Sequence, residues 1–182
     1  MTDEYHNNIC LKCSRLQETC CSDSPRVPFT IQDLERLSSL GYQLEDFAVV
    51  GEYLEKDFRR DEDWWKNAMI KIGDKFSKIN VRKKEDGSCY FLDREKGCTL
   101  GQNKPVACKI YPYWIDRGCI IWEDGEMEFC LMGKEEFHIL EGIRMIGETE
   151  YTIRAYFEEI KRDCLENNEK HRGLLLRLLK NI

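Results

Sequence analysis

The chain has no long apolar run, no excess of basic charge and few of the residue sets that catalyse on their own. Its most apolar stretch, around Leu174-Leu175-Leu176, is cut by Arg172, Arg177 and Lys180, well short of the roughly 20 apolar residues of a membrane span. No membrane partner is expected. A formal net charge of −6 disfavours a nucleic-acid partner, because neutralising phosphates needs a basic surface. The basic run Arg82-Lys83-Lys84 is followed at once by Glu85 and Asp86 and reads as a solvated strand end. The opening residues, Met1-Thr2-Asp3-Glu4-Tyr5-His6, lack the basic start and apolar segment of a signal peptide; a soluble protein of the reducing cytoplasm is expected. Histidine is scarce and scattered, at His6, His138 and His171. No Ser/His/Asp set or spaced carboxylate pair suggests hydrolysis, and no glycine-rich loop joins a strand to a helix. Asp61 to Trp65 reads as a charged helix start.

What the chain has is sulfur. Eight of its ten cysteines fall in two groups. The first is Cys10-x2-Cys13-x6-Cys20-Cys21; the second is Cys89, Cys98, Cys108 and Cys130, with Cys119 between the last two. In a reducing compartment such density points to metal ligands rather than disulfides. Thiolates suit zinc, copper(I) and iron–sulfur clusters and disfavour magnesium or calcium. Cys10-x2-Cys13 is a chelating step in which the backbone turns around one ion or onto one cluster edge. The adjacent side chains of Cys20 and Cys21 diverge, so both binding one tetrahedral zinc would strain the peptide. Ligands on two irons, or on neighbouring sites, are easier. Eight thiolates complete two four-ligand centres, or one cluster with four cysteines in other roles. Cys119 and Cys164 stand outside the ligand set, because free cysteine is often buried as a small apolar residue.

The remaining pattern predicts an α+β fold: a small antiparallel sheet with surrounding helices, cysteine-rich loops around an inorganic centre and a helical C-terminus. All 182 residues form one cysteine-cluster domain, with the motif region over 10–133 and C-terminal helices over 134–182. Thr30 with Asp33 three residues on forms a capping box for a helix ending near Gly41. Further helices are expected from Leu44, over 54–72 with Trp64-Trp65, over 106–110, 134–146 and 149–166, and near Leu174 to Leu179. Phe76 to Lys83 alternates as a strand placing Ile79 and Val81 on one face. Asp86-Gly87 marks a hairpin returning along Cys89 to Leu92. A second hairpin turns at Asp116-Arg117-Gly118. Tyr90, Phe91, Tyr111, Tyr113, Trp114 and Trp122 read first as core, and second as a water-excluding shell for a cluster.

These residues resemble a known family. The order Cys-x2-Cys, a short spacer, Cys-Cys, the Thr30/Asp33 helix start, Cys89-Tyr90-Phe91-Leu92, Cys98, Lys104-Pro105-x2-Cys108-Lys109-x-Tyr111-Pro112 and Cys130 is similar to the YkgJ-type cysteine-cluster family, also described as the CxxCxxCC zinc- or iron-chelating domain. The resemblance covers about residues 10–133. It departs at Lys104 and Lys109, where the family usually has arginine, at Leu100 in place of tyrosine, and at Leu131-Met132-Gly133 in place of proline-glycine. The spacer between Cys13 and Cys20 is long for the family. Lysine still supplies positive charge beside thiolates, without the planar arginine fork.

The sequence thus implies an iron–sulfur protein holding one or two Cys-ligated clusters, of the 4Fe-4S type, in redox or electron-transfer chemistry. Cys10, Cys13, Cys20, Cys21, Cys89, Cys98, Cys108 and Cys130 are its metal ligands. A redox or protein partner goes with that reading. The alternatives are a structural zinc protein that binds a partner, and, through the resemblance alone, a lysine methyltransferase-like enzyme acting on proteins. The CxxxCxxC triad of radical S-adenosylmethionine enzymes is absent.

Overall fold

The structure is a computed structural model, and it describes residues 9–16, 20–21, 26–54, 64–65, 68–122 and 138–180. The chain is α+β, as its patterning implies. A short helix, α1 (Ile9–Ser14), carries the first cysteines. Helix α2 (Ile31–Ser39) follows, then the single turn α3 (Leu44–Phe47). The central sheet has the order β1-β3-β2, with β1 (Ala48–Tyr53), β2 (Ile70–Ile72) and β3 (Lys75–Val81), all neighbours antiparallel. Two ribbons follow: β4 (Leu92–Asp93) with β5 (Gly97–Cys98), and β6 (Tyr113–Asp116) with β7 (Cys119–Trp122). Helix α4 (Val106–Ile110) lies between them, and α5 (Ile139–Met145), α6 (Glu150–Glu166) and α7 (Asn168–Lys180) close the chain. Among the described residues no helix is long and apolar enough to cross a membrane.

Two apolar bodies result. One buries Phe29, Leu34, Leu37, Phe47, Ile79 and Phe91 together with Leu175 and Leu178 of α7. Ile79 is fully buried and Val81, on the same face of β3, nearly so. The other gathers Val106, Ile110, Tyr113, Trp114, Ile143, Ile153, Phe157 and Ile160. On α6, Ile153, Phe157 and Ile160 recur at steps of four and three, which puts them on one helix face. The aromatics of the second cysteine segment are part of this packing: Phe91 lies 5.7 Å from Phe47 and Trp114 5.0 Å from Phe157, centroid to centroid.

Some sequence expectations change. The helix expected over 54–72 is not continuous, because 70–72 is strand β2, whose Ile70 and Ile72 pair with Ser77 and Lys75. Trp64 and Trp65 are helical; residues 55–63 and 66–67 lie outside the described set. The helix begun at Leu44 lasts one turn before the chain extends into β1, where Val49 and Val50 are β-branched residues suited to a strand. Gly51 faces Asn80 so closely that a Cβ there would fall 2.0 Å from its amide nitrogen. The Asp86-Gly87 turn forms, with Gly87 at φ +79°, but its return is a single bridge between Lys83 and Cys89. Leu92 and Asp93 turn away to pair with Cys98 and Gly97. The second hairpin forms as expected, its corner at Arg117 and Gly118, both at positive φ. Helix α7 runs longer than the apolar letters alone suggest.

Two buried carboxylates join these bodies. Thr30 and Asp33 make the reciprocal capping box of α2, but Asp33 also accepts from the Val106 N–H, 3.2 Å from each oxygen. It pairs with Arg36, whose guanidinium donates to the Lys104 carbonyl. One carboxylate therefore anchors the N-termini of both α2 and α4, where the helix dipole favours negative charge. Asp163 on α6 accepts from Ile31 N–H at 2.8 Å and Asn167 Nδ2 at 3.0 Å, and meets His171 Nε2 of α7 at 2.6 Å. Burial alone raises the Asp163 pKa, but His171, Ile31 and Asn167 outweigh it and hold the carboxyl below its usual range.

Replacing Asp163 with alanine is expected to destabilise the fold by about 3 kcal/mol, since it strands several buried donors; urea unfolding measures it. The carboxylate contribution is complete above the unfolded-state value of about 3.9 and disappears as pH falls through the lower folded value. Urea titrations at several acidic pH values should therefore show a flatter stability profile for Asp163→Asn than for the native chain.

Candidate metal centre

The two cysteine groups meet face to face. Helix α1 lies against β5, where Gly97 has φ +81° and a Cβ would fall 2.8 Å from Leu11 Cδ1. Glycine there permits both the positive φ and the close approach. Arg94 donates to the Leu16 carbonyl at 2.5 Å, and Arg15 to the Glu95 carbonyl at 3.4 Å. At the vicinal pair the two groups share a backbone hydrogen bond, Cys89 N–H to the Cys21 carbonyl, at 2.6 Å. Cys13 is buried on α1, whereas Cys20, Cys21, Cys89, Cys98 and Cys108 are half-buried. Cys10 lies on α1 but its side chain is outside the described set, as is all of Cys130.

Cys21 is the hub. It hydrogen-bonds Cys20 and feels the charge of Cys13, and its own charge is felt at Cys89, Cys98 and Cys108. The hydrogen bond from Cys20, aided by Lys104 and Arg94, holds the Cys21 thiol below its ordinary pKa. Burial does the reverse elsewhere. Desolvation pushes Cys89 up to about 12, with the Cys21 and Cys98 charges adding to it. It also raises Cys98, and holds Cys108 well above its ordinary value. Three cations border the group: Lys104 acts on Cys21, Cys98 and Cys108, Lys84 on Cys89, and Arg94 on Cys21.

The donor chemistry fits a soft cation. Partly buried thiols from four segments converge on one another, and deprotonating several of them together requires a positive charge in their midst. Among the described residues no three Cys, His, Asp or Glu side chains stand at the mutual distances of a closed cage. The convergence is thus one of neighbourhood, with two of the eight sequence-assigned side chains undescribed. Histidine adds nothing among the described residues: His138 is exposed and His171 is taken by Asp163. Cys119 is exposed on β7, and Cys164 is buried on α6, each outside the thiol group.

Sequence reasoning singled out Lys104 but passed over Lys84 and Arg94. Lys84 belonged to a run that read as a solvated strand end, yet its ammonium donates to the Leu92 carbonyl at 2.5 Å. Arg82 likewise holds the Glu45 and Ala48 carbonyls. No letter pattern marked Arg94, whose position follows from the β4–β5 turn.

The fold brings thiols from distant segments into one neighbourhood bordered by Lys84, Arg94 and Lys104, with every described cysteine free of a disulfide, an arrangement that fits the class of thiol-based metal-chelating domains. The particular family follows from comparison: the sequence profile described as the CxxCxxCC zinc- or iron-chelating domain matches residues 9–164, and the chain belongs to that family. No curated protein and no solved structure matches it. The matched region extends beyond the 10–133 of the motif resemblance and takes in α5 and α6. Within that added region, Asp163 of α6 accepts from the Ile31 N–H at the start of α2.

Gly97→Ala is expected to lower stability by about 1–2 kcal/mol, from positive φ and overlap with Leu11. Hydrogen exchange should show the loss concentrated in α1 and the β4–β5 ribbon, with α6 and α7 unaffected.

Proposed function

We propose that the protein carries an iron–sulfur centre of the 4Fe-4S type, ligated by Cys10, Cys13, Cys20, Cys21, Cys89, Cys98, Cys108 and Cys130 as one or two clusters. The observation that supports this most is the backbone hydrogen bond from the Cys89 N–H to the Cys21 carbonyl at 2.6 Å, which brings the first cysteine group against the second. Together the two groups offer eight thiols, more than one tetrahedral zinc accepts. The vicinal Cys20 adds to this, because two adjacent ligands serve neighbouring irons more readily than one ion. When bound, such a centre supplies one-electron transfer at a potential set by its charge, hydrogen bonds and exposure.

The protein's own residues set those terms. Lys104, Lys84 and Arg94 offset thiolate charge, and the docked α1 and β4–β5 ribbon hold the two ligand groups together. Burial of the thiols shields such a centre from water, and the partial exposure of Cys20 and Cys21 leaves a side from which a redox partner protein could approach. The chain's role in this reading is electron transfer or a cluster-dependent redox step.

Anaerobic purification followed by iron, zinc and sulfide quantitation and electron paramagnetic resonance tests the proposal. Iron and acid-labile sulfide in equal amounts, with a cluster signal on reduction, are expected; a colourless protein with stoichiometric zinc and no sulfide would replace it with the structural-zinc reading. Cys21→Ala should weaken metal retention by at least about 100-fold, beyond the loss typical of second-shell changes, as measured by competition with a chelator. Cys119→Ala, on the far hairpin, should leave the metal content unchanged.

A further inference from the structure

The second apolar body contains a buried lysine beside a buried thiol, away from the cysteine groups. Lys78 sits on β3 with 6% of its surface exposed, and Cys164 on α6 with 2%. The Lys78 ammonium nitrogen lies 3.4 Å from Cys164 Sγ and 4.2 Å from the Trp65 ring centroid. Among the described residues no carboxylate pairs with Lys78. Asp163, next to Cys164 in sequence, is occupied by Ile31, Asn167 and His171. A buried ammonium is ordinarily matched by a carboxylate; here it is aimed at sulfur and an aromatic face.

We propose that Lys78 and Cys164 are a covalent modification site at which peroxide joins the two side chains through one bridging oxygen. Closing an S–O–N link from the 3.4 Å separation requires a small inward shift of the flexible Lys78 stem, and a direct sulfur–nitrogen bond would require a larger one. Lys78 first gives up its proton to solvent. One peroxide then oxidises the thiol: its O–O bond breaks, an S–O bond forms, and water leaves, giving sulfenic acid. A second peroxide takes two further electrons, formally from nitrogen. An N–O bond forms between the amine and the sulfenic oxygen, the amine and the sulfenic acid each lose one hydrogen, and both oxygens of this peroxide depart as water. The product is an S–O–N link that carries one oxygen more and two hydrogens fewer than the separate side chains. Burial slows the first step but also excludes larger thiols, so the sulfenic acid meets the lysine rather than a soluble thiol. Peroxide is small and neutral enough to enter. The link would fix the central sheet to α6.

The test uses the full-length protein, reduced anaerobically and then treated with dilute hydrogen peroxide. Tryptic peptides are read by mass spectrometry. The expected result is residues 76–82, uncleaved after Lys78, joined to residues 163–170, with a net gain of one oxygen and loss of two hydrogens. Lys78→Arg, which keeps charge and stem, and Cys164→Ser should each abolish that species; circular dichroism checks that both fold. Recovery of Cys164 unmodified or as sulfinic acid, with normal cleavage after Lys78, overturns the proposal, as does a link that retains no oxygen. The native chain alone decides the matter if either variant fails to fold. Neither residue belongs to the metal-ligand set, so the outcome is independent of which metal the protein holds.

Discussion

The fully buried carboxylate of Asp33 is the interaction on which the architecture turns. It closes the capping box of α2 and accepts from the first N–H of the helix that carries Cys108. Without a charge at that point, two helix N-termini would be left pointing at one another with unpaired donors. Burial pushes its pKa up, against the pull of Arg36, Thr30 and Val106. Arg36 completes the arrangement and reaches the backbone of Lys104, one of the cations facing the thiols. A line of polar contacts thus runs from the core of α2 to the edge of the thiol group. Asp163 extends it in the other direction, through Ile31 to α6 and through His171 to α7.

This explains why the C-terminal helices belong with the cysteine groups rather than beside them. Helix α7 covers the sheet with Leu175 and Leu178, and α6 closes the body behind α4. The thiols themselves come from α1, the turn after it, the β3–β4 connection, β5 and α4. Two of those segments are rooted in the apolar bodies, α4 through Val106 and Ile110 and the β3–β4 connection through Phe91. The others are held by hydrogen bonds to carbonyls and by the Gly97 contact, and the Asp33 anchor fixes the start of α4. Metal ligation would add to a scaffold whose apolar bodies already take in Phe91, Val106 and Ile110 from those segments.

The elements most legible in the sequence were those encoded by local rules. Thr30 with Asp33, the Gly118 corner and the periodic apolar positions of α6 each depend on a few neighbouring residues, and each formed as the letters imply. The strand β1 was not legible, because its burial alternates weakly around Gly51 and its pairing is with Asn80 and Ile79, some thirty residues away. The strand β2 was hidden for the same reason within a stretch rich in helix formers. At the centre, the thiols could be grouped by spacing alone, yet the partners that tune them could not. Arg94 reaches Cys21 only because a two-residue ribbon turns it there, and Lys84 faces Cys89 only because the return from Asp86-Gly87 is a single bridge. Asp163 as the cap of a helix more than a hundred residues earlier has no local signature at all.

The backbone hydrogen bond from Cys89 to Cys21 has a consequence for how the protein is made. The vicinal pair leaves the ribosome well before the segment that receives it. At ordinary rates of translation the delay is on the order of several seconds. For that interval the early thiols are exposed on an unfinished chain, open to oxidation or to capture of the wrong ion. In the proposed reading, loading of metal across both groups therefore waits until the later cysteines have been synthesised.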